Sequence, residues 1–231
     1  MSAPGTIRVA VAGAAGRMGE TVCRAVEGAP DMELASSVDP LLGNELADAL
    51  PGADVVVDFT QPGQAVANAA ACVAAGVHVV IGTSGFDMAE LERVSAGGRA
   101  NVFYAPNFAI GAVLMMRFAV EAAPHMTKAE IIELHHDGKL DAPSGTAART
   151  AELLADALAG SGGTGAVPIH SVRLPGLVAH QEVIFGDLGE TLTIRHDTTS
   201  REAFMPGVLL AVRRVAGLQS RLVVGLEALL F

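Results

Sequence analysis

The sequence contains no tryptophan, one tyrosine and two cysteines, and its basic residues are fewer than its acidic ones. The cysteines, Cys23 and Cys72, lie in alanine-rich apolar segments and form no C-x-x-C or metal-ligand spacing, so we expect them to fill core space in a reducing compartment. The 15 basic and 25 acidic residues give a net charge of -10, which repels polyanions, and no basic stripe is present. We therefore expect no nucleic-acid partner.

Long hydrophobic runs are also scarce. No basic region followed by an apolar stretch opens the chain, so a secretory signal is not expected. Residues 65–82 come nearest to a membrane span, but they contain Asn68, Gly76 and His78 and are dominated by weakly apolar alanine. A soluble helix followed by a buried strand explains this segment better. We expect a cytoplasmic protein with no membrane association.

Short β-rich runs alternate with helix-like stretches along the first hundred residues. Several runs are apolar throughout, which is typical of strands buried on both faces, and the helix-like stretches end at glycine or proline. This alternation predicts a Rossmann-type α/β domain with a doubly wound parallel sheet and right-handed crossovers. The predicted strands are residues 7–13, 32–39, 54–60, 77–83 and 101–107.

The pattern changes after residue 107. An apolar segment with helical spacing precedes a strand, an amphipathic helix and a glycine-rich linker. Three further β-rich runs are spaced like neighbouring antiparallel strands, and a final apolar helix follows. These features predict a second α+β domain with an open mixed or antiparallel sheet. Its predicted elements are helices 109–126, 146–160 and 206–218, linker 160–168, and strands 129–136, 169–176, 177–187 and 190–197.

Three glycines, Gly13, Gly16 and Gly19, follow the first strand and open the first helix. Their spacing, G-x-x-G-x-x-G, is a variant of the dinucleotide-binding fingerprint, in which the backbone approaches a pyrophosphate at a helix N-terminus. Asp39 stands twenty residues after Gly19, at the end of the second strand, where this fold places a ribose-binding acid. The alternative is a tight turn without a ligand.

Other candidate cofactor contacts lie in the glycine loop and at two later strand ends. The charge of Asp39 disfavours a 2′-phosphate, whereas Arg17 could reach one, so the preference between NADH and NADPH stays open. The segments GTSG, from Gly82, and APNF, from Ala105, end predicted strands. Ligands of open α/β sheets bind at such ends, although either segment alone would be an ordinary turn.

The segment ELHHDGKLDAPSGTA, residues 133–147, concentrates polar side chains in a largely apolar chain. The adjacent His135 and His136 end a predicted strand, so their side chains point to opposite faces and cannot easily share one metal ion. No H-x-x-x-H pair or Cys/His quartet accompanies them. We therefore expect no metal site.

Proton transfer explains this segment better. A histidine gives or takes a proton near neutral pH, and Lys139 offers a charge to an anionic substrate. APSGTA is typical of a helix N-terminus, where the N–H groups of Ser144, Gly145 and Thr146 would cradle a carboxylate. Together these groups indicate a small dicarboxylate substrate beside a nicotinamide. A solvated polar loop ahead of a capped helix is the alternative.

Six segments of the chain occur together in a characteristic order: VAGAAGRMG, VVVDFTQP, VVIGTSGFD, APNFAIGA, IIELHHDGKLDAPSGTA and SREAFMPGVLLAV. This is the order found in the dihydrodipicolinate reductase family, which the chain resembles over nearly its whole length. The string HH-x-x-K-x-DAPSGTA is highly specific for this family. The family, also called 4-hydroxy-tetrahydrodipicolinate reductase, belongs to bacterial lysine and diaminopimelate biosynthesis.

The resemblance implies a role for each matching residue. His135 corresponds to the family's proton donor or acceptor, and Lys139 to its second catalytic residue. The matching substrate contacts are His136, Gly145 and Thr146, to which the predicted cradle adds Ser144. The matching cofactor contacts are Asp39, Gly82, Thr83, Ser84, Ala105, Pro106, Asn107 and Phe108 and, in the glycine loop, Gly13, Ala14, Ala15, Gly16, Arg17 and Met18, to which the glycine fingerprint adds Gly19.

The resemblance also implies a reaction and an assembly. Family members reduce a cyclic imine-type dicarboxylate with hydride from NADH or NADPH and a proton from the enzyme. They are usually homotetramers that associate through the sheets of the second domain, and their last helix packs on the cofactor domain. The expected boundaries are residues 1–108 with 206–231 for the dinucleotide-binding domain, and residues 109–205 for the substrate-binding and oligomerisation domain.

Some positions depart from the family pattern. Ser84 stands where many relatives have threonine, Gly138 where many have a basic residue or histidine, and Pro40 where some have an arginine after the ribose-binding acid. Two other functions are alternatives to the reductase. Another two-domain dehydrogenase would explain the cofactor domain but not the paired histidines with Lys139 and the cradle. A dinucleotide sensor predicts binding without turnover.

Overall fold

The computed structural model describes residues 5–159 and 166–231, so the predicted linker at 160–168 lies outside the described residues as far as residue 165. The chain forms two compact units, one reaching to Phe108 and resuming with Phe204–Phe231, the other spanning Ala109–Ala203. In chain order the elements are β1 (Ile7–Ala12), α1 (Arg17–Glu27), β2 (Met32–Val38), α2 (Leu46–Ala49), β3 (Val55–Asp58), α3 (Pro62–Ala75), β4 (His78–Ile81), α4 (Met88–Ser95), β5 (Val102–Tyr104), α5 (Ile110–Ala122), β6 (Lys128–His135), α6 (Gly145–Ala159), β7 (Ile169–Arg173), β8 (Ala179–Asp187), β9 (Glu190–Thr198), α7 (Met205–Val215), β10 (Leu222–Val224) and α8 (Glu227–Leu230).

The first unit contains a six-stranded parallel sheet in the order β10-β5-β4-β3-β1-β2, which confirms the predicted Rossmann-type architecture. Its middle strands are mostly apolar because both faces are covered: all of β3 is buried, including Asp58, as are Val9, Ala10 and Val11 of β1. The strand order reverses at β1, which lies between β2 and β3. In this fold class, ligands bind outside the carboxyl ends of the strands at such a point.

One strand of this sheet has no counterpart in the sequence prediction. Residues 222–224 form β10, which pairs in parallel with β5 and places Val223 opposite Phe103. Three residues are too few to show a periodicity of their own. This strand is therefore identified by its pairing with β5 and not by any local pattern.

The second unit contains a mixed four-stranded sheet in the order β7-β6-β8-β9. The prediction that β7 is an antiparallel neighbour of the following strand is wrong, because β7 pairs in parallel with β6, whereas β8 pairs with the other edge of β6. The physical reason is α6, a crossover helix that joins β6 to β7, as parallel neighbours require. The antiparallel pairing of β8 with β9 agrees with the prediction.

Alternation along β6 separates the two faces of this sheet. Ala129, Ile131 and Glu133 are buried, whereas Lys128 and Glu130 are exposed. Apolar side chains of α5, α6 and β8 pack with the buried face, among them Met115, Leu154 and Phe185. Because side chains two positions apart share a face, His135 at the end of β6 lies on the same face as the buried carboxylate of Glu133.

Candidate active site

The glycine loop of the first unit has the geometry that a bound pyrophosphate needs. Gly13 has a φ of 80°, and a Cβ there would lie 2.6 Å from the Phe59 carbonyl oxygen. Gly16 precedes α1, and its N–H donates to the Gly13 carbonyl at 3.0 Å. A Cβ at the buried Gly19 would overlap the Gly13 carbonyl oxygen. Gly13 and Gly19 therefore let the loop turn tightly against the start of α1, where backbone N–H groups attract anions.

Asp39 lies at the carboxyl end of β2 and is tied to the glycine loop. Its Oδ2 accepts from the Ala15 N–H at 3.2 Å and its Oδ1 from the Leu41 N–H at 3.0 Å. The Asp39 N–H in turn donates to the Asn44 side-chain oxygen at 2.9 Å. Asn44 was not identified from the sequence; its side-chain nitrogen donates to the Ser37 carbonyl at 2.9 Å, so it bridges the end of β2. Arg17 is exposed at the first position of α1.

The ends of β3 and β4 are joined through Asp58, a fully buried carboxylate that sequence reasoning missed. It accepts hydrogen bonds from the hydroxyls of Thr60 at 2.8 Å and Thr83 at 2.9 Å, and from the Asn68 amide at 2.7 Å. The Thr83 hydroxyl therefore points into the protein, and its hydrogen bond to Asp58 holds the loop after β4, which includes Ser84. The only signal in the sequence was an acid at the end of an apolar run.

The loops after β1, β3, β4 and β5 converge on Phe59. The Phe59 carbonyl lies against Gly13, and the Phe59 ring occupies the space that a Cβ on Gly82 would need. The centroid of this ring is 6.0 Å from that of the Phe108 ring. In the segment after β5, Ala105 and Phe108 are buried, Asn107 is half-buried and Pro106 is exposed. The structure therefore brings most of the predicted cofactor contacts to one edge of the sheet, and these residues fit a dinucleotide.

In the second unit, the His135 imidazole pairs with the Glu133 carboxylate through Nδ1 and Oε2. The Glu133 side chain is completely buried, and the His135 side chain retains 14% of its exposure. Two terminal nitrogens of Arg173 bind the same carboxylate at 2.7 and 2.9 Å, and the Ser144 backbone N–H donates to it at 3.4 Å. A bidentate guanidinium with two further donors is the arrangement that lets a carboxylate stay charged inside a protein.

These contacts shift the proton affinities of both partners. Burial opposes ionisation of Glu133, but hydrogen bonds from Arg173, Ser171 and His135 outweigh it and hold the pKa of Glu133 below its usual value. Burial lowers the pKa of His135, the Glu133 contact raises it, and the charges of Lys139 and Arg173 lower it further. Near neutral pH Glu133 is therefore a carboxylate, and His135 is mainly neutral before any ligand binds.

Lys139 and the start of α6 lie on the loop that follows β6. The Lys139 ammonium pairs with the Asp141 carboxylate at 2.7 Å, and this contact lowers the pKa of Asp141. The Ser144 hydroxyl accepts from the Ala147 N–H at 3.2 Å, so Ser144 caps α6 with its side chain. A Cβ at Gly145 would stand in open space, which leaves room for a ligand at this helix end.

The residues predicted from the polar segment are linked to one another in different ways. His135 and Ser144 meet at Glu133, and Lys139 is linked to them through Asp141, whose backbone carbonyl accepts from Arg173 at 2.7 Å. His136 is linked through its backbone, because its carbonyl accepts from the Lys139 N–H at 3.1 Å, and its ring lies 3.4 Å from where a Cβ on Gly138 would be. Neither Glu133 nor Arg173 was identified from the sequence.

Two other features bear on the class of protein. Across residues 5–159 and 166–231, no cluster of three or more histidine, cysteine, aspartate or glutamate side chains is arranged to hold a metal ion. No helix in the same part of the chain has the length and apolar character needed to cross a bilayer. Cys72 is buried, which raises the pKa of its thiol to about 12, and Cys23 is half-buried.

A glycine loop at the switch point of a parallel sheet is the architecture of nicotinamide-dinucleotide enzymes, and a histidine paired with a buried carboxylate is a common proton-transfer device. The chain therefore has the parts of a two-domain dehydrogenase or reductase. The family model described as Dihydrodipicolinate reductase, N-terminus, matches residues 7–108, and that described as Dihydrodipicolinate reductase, C-terminus, matches residues 111–230. The chain belongs to the dihydrodipicolinate reductase family.

Relatives and solved structures agree with this assignment. A 4-hydroxy-tetrahydrodipicolinate reductase of Mycolicibacterium smegmatis is 49% identical over 245 residues, covering 97% of this chain and 99% of the relative. The reductase of Thermobifida fusca is 52% identical with the same coverage. The structure of dipicolinate-bound dihydrodipicolinate reductase from Paenisporosarcina sp. TG-14 is similar with a TM-score of 0.83 at 38% identity, covering 96% of this chain and 99% of that one. The chain is an oxidoreductase that uses NADH or NADPH.

Proposed function

We propose that the chain catalyses the reaction for which its relatives are named, the reduction of 4-hydroxy-tetrahydrodipicolinate to tetrahydrodipicolinate in lysine and diaminopimelate biosynthesis. This conversion adds a hydride and a proton and releases water. When bound, the nicotinamide cofactor supplies the hydride. The enzyme must then supply the proton and hold two carboxylates. The observation that carries the proposal is the His135 pair with Glu133, which stands beside a lysine and a helix N-terminus.

His135 is the proton donor in this proposal. Because Glu133 engages Nδ1, the Nε2 nitrogen is the one left to face a substrate. Burial keeps the pKa of His135 low in the protein alone, and an approaching dianion raises it again. Protonation of His135 is thereby coupled to substrate binding. Lys139 supplies a second positive charge, and His136 adds a polar group at the same loop.

The substrate carboxylates are held at the start of α6 by the N–H groups of Gly145 and Thr146 and by the hydroxyl of Ser144, whose own N–H already donates to Glu133. This helix has 15 residues, so its N-terminal N–H groups carry the positive end of a full helix dipole. In the first unit, the glycine loop, Asp39 and the residues after β4 and β5 bind the dinucleotide. These roles agree with the chemistry of each position and with the family's motifs. Cytoplasmic location is proposed on the same family basis.

Replacing Lys139 with methionine is expected to raise the KM for the dicarboxylate by about tenfold or more, because the stem is kept and the charge is lost. Affinity for NADH is expected to stay unchanged. Steady-state kinetics, followed by NADH absorbance, and inhibition by pyridine-2,6-dicarboxylate measure the effect. The matched control is Lys128→Met at the exposed start of β6. Equal KM values in the two variants would contradict a substrate contact by Lys139.

We further propose a homotetramer that associates through the sheets of the second unit, as the family resemblance implies. The outward face of this sheet carries exposed Glu130, His170 and Arg195 in ion pairs. Analytical ultracentrifugation is expected to give four times the chain mass of 23.5 kDa. A single species at the mass of one chain would contradict this assembly.

A further inference from the structure

The Glu133 carboxylate lies where three elements that carry the proposed site meet. It is fully buried and contacts His135 on its own strand, Arg173 on β7 and the Ser144 N–H ahead of α6. An ionised carboxylate can only accept hydrogen bonds, so the His135 Nδ1 must be the donor in this pair. The proposed proton donor and the residue that begins the proposed anion cradle, Ser144, are therefore held by one negatively charged group.

Arg173 joins this carboxylate to the loop that carries Lys139. Both terminal nitrogens of its guanidinium bind Glu133, and one of them also donates to the Asp141 carbonyl at 2.7 Å. Asp141 in turn pairs with Lys139. A buried carboxylate without this guanidinium would be strongly destabilised. Arg173 therefore holds Glu133 in its charged form and ties the Lys139 loop to the same point.

We propose that Glu133 is the positioning residue of the proton-transfer site: it fixes the His135 tautomer with hydrogen on Nδ1 and directs Nε2 to the substrate. This inference rests on the proposed function of His135 as the proton donor. Glu133 does not touch the reacting atoms and acts only through the imidazole. Arg173 supports it from β7, at a separation of 40 residues along the chain.

Burial has the largest effect on the pKa of His135 and lowers it, and four charged groups around the ring modify this effect. Glu133, on the same strand, favours the imidazolium, whereas Arg173 on β7 and Lys139 in the loop disfavour it. Asp141 partly neutralises Lys139 through their ion pair. Removing the charge of Glu133 alone would leave two cations near the ring, so the pKa of His135 would fall further.

Glu133→Gln tests the role with little change in shape. In this variant Arg173 still donates to the side-chain oxygen, so the amide nitrogen points toward Nδ1 of His135. Because the amide nitrogen donates a hydrogen bond, it favours the opposite tautomer, with hydrogen on Nε2. We expect kcat to fall by about 10²-fold near pH 8 and by only about tenfold near pH 6, because the variant's histidine needs a lower pH to become protonated. Loss by the same factor at both pH values would indicate a merely structural role and would overturn the proposal.

The nitrogen-15 NMR signals of the imidazole report the tautomer directly. In the unaltered protein, neutral His135 is expected to carry its proton on Nδ1, and in Glu133→Gln on Nε2. Comparison with a His135→Ala sample identifies the signal. A neutral Nε2–H form in the unaltered protein would overturn the proposal even if Glu133→Gln does not fold. Glu152→Gln, which breaks an exposed pair with Arg149 on α6, is the matched control and is expected to keep kcat and its pH profile.

The combined variant separates this inference from the proposed function. If Glu133 acts through the imidazole, Glu133→Gln is expected to lower kcat of His135→Ala by less than about threefold. A further 10²-fold loss would overturn the positioning role. If His135→Ala lowers kcat while Glu133→Gln changes neither kcat nor the tautomer, the role of Glu133 fails and the proposed function stands. Full activity of His135→Ala would overturn both.

Discussion

Replacing His135 with alanine is expected to lower kcat by about 10² to 10⁴, the usual contribution of a general acid, while affinity for the dinucleotide is kept. The reason is that the proposed proton donor and the predicted dinucleotide contacts belong to different units. His135 belongs to the second unit, at the end of β6, whereas the predicted dinucleotide contacts belong to the first. Removing the imidazole therefore deletes the proton donor without touching the glycine loop.

Steady-state kinetics and titration of NADH by fluorescence measure the two quantities separately. His125→Ala is the matched control, because this imidazole is exposed before the start of β6 and lies outside the proposed site. It is expected to keep full activity. A His135→Ala protein that folds, binds NADH and retains the original kcat would rule out proton transfer by this residue.

Gly19→Ala is expected to destabilise the protein by about 3 kcal/mol, at the upper end of what overpacking usually costs. Helix propensity alone predicts the opposite sign, a gain of about 1 kcal/mol for alanine over glycine inside a helix. The difference arises because the new Cβ would overlap the backbone oxygen of Gly13, which cannot move away without opening the turn after β1. Dinucleotide affinity is expected to fall as well, since the same turn forms the proposed pyrophosphate site.

Comparison with Gly63→Ala separates the cost of steric crowding by the new Cβ from the effect of helix propensity. Gly63 also lies in the first turns of a helix, α3, but a Cβ there has no atom within 4 Å. We expect this variant to be stabilised by about 0.4 to 1 kcal/mol. Urea unfolding of both variants gives the comparison. Equal stability changes in the two proteins would show that the close approach of α1 to the glycine loop does not matter.

Local geometry explains why much of the cofactor edge could be predicted from the sequence. The positive φ of Gly13 and the contact of Gly19 with the Gly13 carbonyl arise within a single strand, turn and helix, so the spacing of these glycines along the chain reflects them directly. Two runs are apolar in the sequence because they are buried in the structure, namely Val9, Ala10, Val11 and Ala12 of β1 and Val55, Val56 and Val57 of β3. His135 and Lys139 stand out for a different reason, since ionisable side chains are conspicuous in an apolar chain. Their catalytic roles stay predictions that the proposed variants test.

Some contacts in the structure leave no pattern in the sequence, and those of Asp58, Glu133 and Arg173 are examples. Glu133 and Arg173 are 40 residues apart, and each looks like an ordinary strand residue in its own neighbourhood. They meet because β7 pairs in parallel with β6 in a register that places Arg173 opposite His135. The predicted antiparallel arrangement of β7 would have placed Arg173 beside another strand.

The sequence by itself determined the fold class, the position of the glycine loop and the residue types available for proton transfer, because each depends on short-range geometry or on composition. Only the tertiary structure decided that β10 completes the first sheet, that β7 lies against β6, and that Nδ1 of His135 faces a buried carboxylate. These features depend on the register between segments far apart in the chain. Register is set by the packing of whole sheet faces, which no local stretch of sequence contains.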